Sequence, residues 1–180
     1  MDINALQKQI SESSEANTQG LPPVDKWNPA FCGNMNLIIK RSGEWWHEGT
    51  PFTRAKLVKL LSSVIKKEGK HYFLVTPVEK IGIQVEDVPF VIIDANVVNG
   101  LVQVSTQTGD CVSLSEQHPV ELREYDGNLL PYCCIRRNLW ARVHQNVLYR
   151  WVDAANVEEC DNETILSLDS GDYSFIVGRF

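Results

Sequence analysis

A chain of 180 residues that is 43% hydrophobic and 22% charged has globular composition and is long enough for one large domain or two small ones. Its formal charge of −6 lies wholly in the second half: residues 1–100 carry 11 basic and 11 acidic side chains, residues 101–180 carry 6 and 12. Such a surface repels phosphate backbones and argues against nucleic acid as a partner. No run approaches the ~18 apolar residues needed to cross a bilayer, which argues against a membrane.

Residues 2–17 place Ile3, Leu6 and Ile10 at helical spacing in a polar background, which predicts a short amphipathic helix, weakly docked or frayed. The N-terminus lacks a basic stretch followed by an apolar core, so no signal peptide is expected. Pro22-Pro23 opens an extended segment anchored by Trp27. A strand is predicted over 36–41, a Gly turn at 42–43 and a short strand over 44–46. Thr50 then reads as an N-cap and Pro51 as the first residue of a helix over 51–68. Leu57, Leu60, Leu61, Val64 and Ile65 form its stripe, Lys66 and Lys67 its last turn and Gly69 its stop. Strands follow at 71–75, 80–85, 89–95, 101–106, 111–114, 119–125 and 129–135, with Asn99-Gly100 and Asp126-Gly127-Asn128 as turns. A second long helix is predicted over 138–154, capped by Asn138 and striped by Leu139, Val143, Val147, Trp151 and Val152. Strands at 164–168 and 173–178 close the chain.

The five cysteines, Cys32, Cys111, Cys133, Cys134 and Cys160, are odd in number, contain no CxxC and match no zinc spacing. They read as reduced thiols of a cytoplasmic protein, with no metal.

The densest stretch is Gly43 to Arg54, GEWWHEGTPFTR. Neighbours on a strand point to opposite faces, so one of Trp45 and Trp46 can enter the core while the other walls a cleft; both can also be plain packing. A cation in a first helical turn opposes the macrodipole, so Arg54 calls for a partner. That is either a carboxylate (Glu48, Glu44 or one from the following strands) or an anionic ligand shared with the free N–H groups of the helix start. His47 beside Glu48 reads first as a hydrogen-bonded structural residue. A nucleophilic site with Cys32 is the alternative.

The two halves of the chain rhyme. Each reads as strand, Gly turn, strand, Pro, Arg, Leu, long helix and hairpin, with Arg54 to Leu57 and Arg136 to Leu139 both three apart. The expected fold is α+β: a duplicated unit of small antiparallel sheet plus one long helix, unless common element orders coincide by chance. The expected division is 1–23 for an N-terminal helix and linker, 24–88 for a first α+β domain and 89–180 for a second.

Five ordered motifs carry a resemblance. PPVxxWxP (22–29), GxWWHEGTPFTR (43–54), LVTPVEK (74–80), VEDVPF (85–90) and PYCCIRRNLWAR (131–142) resemble the bacterial domain-of-unknown-function family 1285. The vicinal Cys133-Cys134 pair, and Asn138 where Gly is expected, look local to this chain. The resemblance implies a duplicated α+β core, a C-terminal half superficially like a pleckstrin-homology barrel, and a ligand site where the halves meet. It implies no established activity, and a signalling or regulatory role only as a suggestion.

No Walker loop, GxGxxG, HExxH, GxSxG or EF-hand loop occurs. The reading is therefore a non-catalytic small-ligand-binding or regulatory protein without a cofactor. Its ligand would be a small anion held between the halves by Trp45, Trp46, His47, Glu48, Arg54, Glu79, Lys80, Glu86 and Asp87. A protein-interaction module, docking a basic partner on edge strands of the acidic half, is the alternative. An enzyme built on His47 and a carboxylate stands third.

Overall fold

The computed structural model describes residues 2–15 and 20–180 and divides into two compact units, Met1–Asp87 and Val88–Phe180. The first contains helix α1 (Ile3–Glu15), strands β1 (Phe31–Ile39), β2 (Trp45–His47) and β3 (Thr50–Pro51), helix α2 (Ala55–Ser62), and strands β4 (Ile65–Glu68), β5 (His71–Val75) and β6 (Lys80–Val85). Ile3, Leu6 and Ile10 are buried and α1 packs against α2, so the helix is firmly docked; residues 16–17 of the predicted helix lie outside the described residues.

The six strands form one sheet in the order β3-β2-β1-β6-β5-β4. It is mixed rather than purely antiparallel, because β1 and β6 run parallel at its centre. Residues paired across strands share a face. Ile39 pairs with Trp45, and Ile65 with Leu74 with Ile81, which together with Leu37 build the buried face. The opposite face carries Ile38 paired with Trp46 and Gln84, and Phe73 paired with Lys66 and Gly82. Trp46, Ile38, Lys66 and Phe73 are half-buried there and Gln84 is exposed.

The helix predicted over 51–68 shrinks to the eight residues of α2. Glu48 and Gly49 both take positive φ, 49° and 75°, and turn β2 back on itself, so that Trp46 pairs with Pro51 and His47 with Thr50. Thr50 and Pro51 therefore form a strand, not a cap and first turn, and Gly49 serves a tight hairpin. At the other end Ile65 to Glu68 pair with His71 to Leu74, and Gly69 turns a hairpin instead of stopping a helix. The stripe misled because Val64 and Ile65 continue the helical spacing while their β-branched side chains suit a strand.

The second unit contains β7 (Phe90–Val98), β8 (Leu101–Thr106), β9 (Cys111–Ser113), β10 (Val120–Tyr125), β11 (Asn128–Arg136), β12 (Leu139–Val143), α3 (Gln145–Ala154), β13 (Asn156–Cys160), β14 (Glu163–Ser170) and β15 (Tyr173–Arg179). Its main sheet has the order β10-β11-β12-β7-β8-β9, again with a parallel central pair, β12 and β7. A three-stranded antiparallel sheet, β13-β14-β15, accompanies it. The helix predicted over 138–154 is a strand followed by a ten-residue helix. Leu139, Ala141 and Val143 are the buried alternate residues of β12, and a spacing of four satisfies both periods. Asn138 is not the cap; His144 is, its ring Nδ1 accepting the Asn146 N–H at 3.2 Å. Val147 and Trp151 are buried on α3, and Trp151 meets Phe175 edge-on at 5.4 Å.

The sheets repeat although the predicted alignment of the repeat fails. Each consists of two three-stranded meanders, with the first strand of one and the last strand of the other paired in parallel at the centre. The fold is mixed α+β with three helices among the described residues, none long and apolar enough to cross a membrane.

Candidate functional site

The hairpin β2–β3 sorts its aromatic residues by strand alternation. Trp45 enters the core with 2% of its surface exposed, and Trp46 lies half-buried on the opposite face. Both indole N–H groups are buried with no hydrogen-bond acceptor among the described residues. His47 shares Trp45's face and stacks on Phe52, ring centres 6.0 Å apart, so its ring meets an aromatic plane. Exposed Glu48, at the turn, accepts a hydrogen bond from Asn36 Nδ2 at 3.3 Å.

Trp46 and Glu86 are joined by a residue that the motifs did not single out. Lys40 Nζ sits 5.8 Å from the centre of the Trp46 ring and 2.9 Å from Glu86 Oε1. Glu86 also accepts the Arg41 N–H at 2.8 Å, and Arg41 reaches Asp87 at 3.5 Å. The Arg41 N–H first, and Lys40 second, hold the Glu86 carboxyl below the ordinary carboxylate range. Lys40 was legible only through the register that sets Ile38 opposite Trp46 and carries Lys40 to the same face two residues on.

A second cluster lies on the same face. Lys80 hydrogen-bonds Glu68 and places its Nζ 4.4 Å from the centre of the Phe73 ring, while Lys66 reaches the same carboxylate at 3.4 Å. The Lys80 hydrogen bond is the main reason the Glu68 carboxyl titrates low. Glu79 closes the turn from Thr76, whose buried hydroxyl accepts the Val78 and Glu79 N–H groups at 3.3 and 3.0 Å. A shallow groove of about 400 Å³ opens beside Ile38, His71, Gln84 and Glu86.

Among the described residues no ion pair or hydrogen bond joins the Arg54 side chain to either cluster. The Arg54 carbonyl accepts the Leu57 and Val58 N–H groups at 3.0 and 3.2 Å, which makes the residue the N-cap of α2 rather than a first-turn residue. It is exposed, no side chain caps the helix, and the first turn holds no acidic residue. Among the described residues no carboxylate pairs with its guanidinium, so the predicted ion pair with Glu48 or Glu44 is not formed. Lys56 and Lys59 follow on α2, both exposed. The predicted residues thus fall into five places: the Trp45–His47 face, Glu48 at the β2–β3 turn, the Trp46–Lys40–Glu86–Asp87 corner, the Lys80–Glu68 pair with the Glu79 turn nearby, and Arg54 at the helix start.

The match to known sequences spans the chain. The domain of unknown function DUF1285, N-terminal domain, matches residues 22–88, and the protein of unknown function DUF1285, C-terminal domain, matches residues 89–177. The chain belongs to the DUF1285 family. A DUF1285 family protein from Silicibacter pomeroyi DSS-3, known from its crystal structure, is 32% identical, with a TM-score of 0.82 and 94% of each chain covered. A DUF1285 family protein from Shewanella baltica OS155 is 31% identical with a TM-score of 0.55, over 68% of this chain and 94% of that one. No curated protein matches the chain. The DUF1285 match thus covers both units, including the stretch that holds Arg54.

Proposed function

We propose that this DUF1285 protein is a non-catalytic, cytoplasmic ligand-binding or regulatory protein whose ligand is a small anion received at Arg54 and the start of α2. The carrying observation is the exposed guanidinium with no carboxylate partner among the described residues, beside a helix start with no side-chain cap and no acid in its first turn. A free N-terminal turn presents N–H donors and the positive end of the helix dipole, and an arginine fork adds two-point recognition of carboxylate or phosphate. Lys56 and Lys59 extend the same sign of charge along α2. Five free thiols support a reducing compartment.

A thermal-shift screen of phosphorylated and polycarboxylic metabolites tests the reading. Stabilisation at ligand concentrations ~100 times Kd amounts to about 2.7 kcal/mol. The expected result is a hit that Arg54→Ala removes while leaving the unliganded melting temperature within about 1 °C, as for a surface substitution. A hit that survives Arg54→Ala, or no hit across the panel, contradicts it.

A further inference from the structure

The second unit holds a groove of about 530 Å³ to which none of the predicted site residues belongs. It is lined by Val120, Leu122, Leu129, Phe175, Ile176 and Arg179. One wall is β15, an outer strand of the sheet β13-β14-β15. The two-residue turn at Gly171 and Asp172 makes Ser170 and Tyr173 the closing pair, so alternate residues bond to β14 and the others face away. Those others, up to the bulge that follows Ile176, are Ser174 and Ile176, whose N–H and C=O groups face away from β14; both residues line the groove. Among the described residues no backbone group of another strand bonds to that edge. Ser174 is exposed and Ile176 half-buried, so the edge is accessible.

The floor comes from β10 and β11. Leu122 pairs with Pro131 and Glu124 with Leu129, which puts Leu122, Leu129 and Glu124 on one face. β15 packs against both strands, and the Tyr173 hydroxyl accepts the Val120 N–H at 2.9 Å, tying β15 to β10 beside the groove. Leu129 is 46% exposed, a large apolar side chain open to solvent on that face. An open strand edge beside an apolar floor is the geometry of strand addition: main-chain hydrogen bonds supply affinity and alternate side chains enter the floor.

Charge selects the occupant. Residues 88–180 contain 13 acidic and 6 basic side chains and no lysine. Arg179, the basic residue of the groove, pairs with Glu163 at 3.3 Å, while exposed Glu124 shares the floor's face. A second copy of the chain would bring two acidic surfaces together; a basic segment would not. We infer that the β15 edge receives an extended peptide of a partner protein that alternates apolar with lysine or arginine residues. The peptide would add a fourth strand to β13-β14-β15 and seat its apolar side chains on Leu122 and Leu129. This groove is independent of Arg54 and of any anion bound there.

The test uses the full chain and three fluorescent decapeptides: alternating Val–Lys, alternating Val–Glu, and Val–Lys carrying N-methyl groups on alternate residues, which keeps the charge but blocks strand pairing. The expected result is that Val–Lys binds and slows amide exchange at Ser174 and Ile176 at least tenfold, with the other two peptides at least tenfold weaker. Leu129→Lys, a change at an exposed position that leaves the fold intact, should weaken Val–Lys binding at least tenfold. Absence of Val–Lys binding at millimolar concentration overturns the inference, as does equal affinity for the N-methylated peptide. So does slowed exchange at Ser174 and Ile176 that grows with protein concentration alone, which would give the edge to a second copy.

Discussion

The two units share a six-stranded frame and differ in what they add to it. In the first, α2 is inserted between the two meanders, and the ion pairs lie on the less buried face: Lys40 with Glu86, and Lys66 and Lys80 with Glu68. In the second, the helix follows the sixth strand, three further strands are appended, and an ion pair, Arg136 with Asp110, is drawn inside with side chains only 10% and 15% exposed. All nine lysines belong to the first unit, and the net negative charge belongs to the second. The difference teaches that the repeat specifies backbone pairing, while the surface chemistry of each half is set by residues outside it. The contrast agrees with the proposal of an anion for the first unit and of a basic peptide for the second.

The largest effect should come from the interior ion pair. Asp110 also accepts the Thr108 hydroxyl at 2.9 Å and the Thr106 hydroxyl at 3.2 Å, and Arg136 lies 4.8 Å from the centre of the Phe90 ring. Burial pulls the Arg136 guanidinium below its ordinary pKa, with Asp110 opposing that pull. Asp110→Ala removes the carboxylate that accompanies this buried charge, an expected loss of about 3–5 kcal/mol by denaturant unfolding. A loss below about 1 kcal/mol would mean that the second unit does not depend on a polar interior and would erase this contrast with the first.

A smaller effect is expected at Gly82 in the first unit. A Cβ there would stand 2.0 Å from Asn34 Oδ1, so the glycine lets the Asn34 side chain lie across β6. Gly82→Ala should cost about 1 kcal/mol, the low end for overpacking because exposed Asn34 can swing aside, and Asn34→Ala in the same protein should recover most of it. A double variant no more stable than Gly82→Ala alone would place the cost elsewhere.

The smallest effect concerns pH. The Glu68 carboxyl is depressed in the folded chain, chiefly by Lys80. Its contribution is therefore complete above the unfolded carboxylate pKa and is lost as pH falls through the lower folded value. Lys80→Met should move the Glu68 titration up toward the ordinary carboxylate range and flatten the acid limb of the stability curve. Carboxyl carbon NMR reads the shift directly, and an unchanged Glu68 titration would deny Lys80 its part in the pairing.

The strands were the legible part of this sequence. His71 to Val75 reads as a short aromatic and apolar run and Lys80 to Val85 as an alternation, both bounded by turn residues, and the structure places strands at those residues. The helices were overextended because Ile65 and the β12 residues satisfy a spacing of four as well as of two. Strand β13 left no signal: Asn156 to Cys160 are all exposed, and no apolar alternation distinguishes them from a loop. Trp45 and Trp46 could be sorted to opposite faces from adjacency alone, whereas Lys40 and Glu68 could not be found, because only the register brings them to Glu86 and Lys80.

The claim that an anion sits at Arg54 is tested most directly by titrating inorganic phosphate into the isotopically labelled chain and following backbone amides. Saturable shifts concentrated at Ala55 and Lys56, and absent in Arg54→Ala, are the predicted result. Shifts scattered over the lysines without saturation, or an unmoved α2 start, would contradict it.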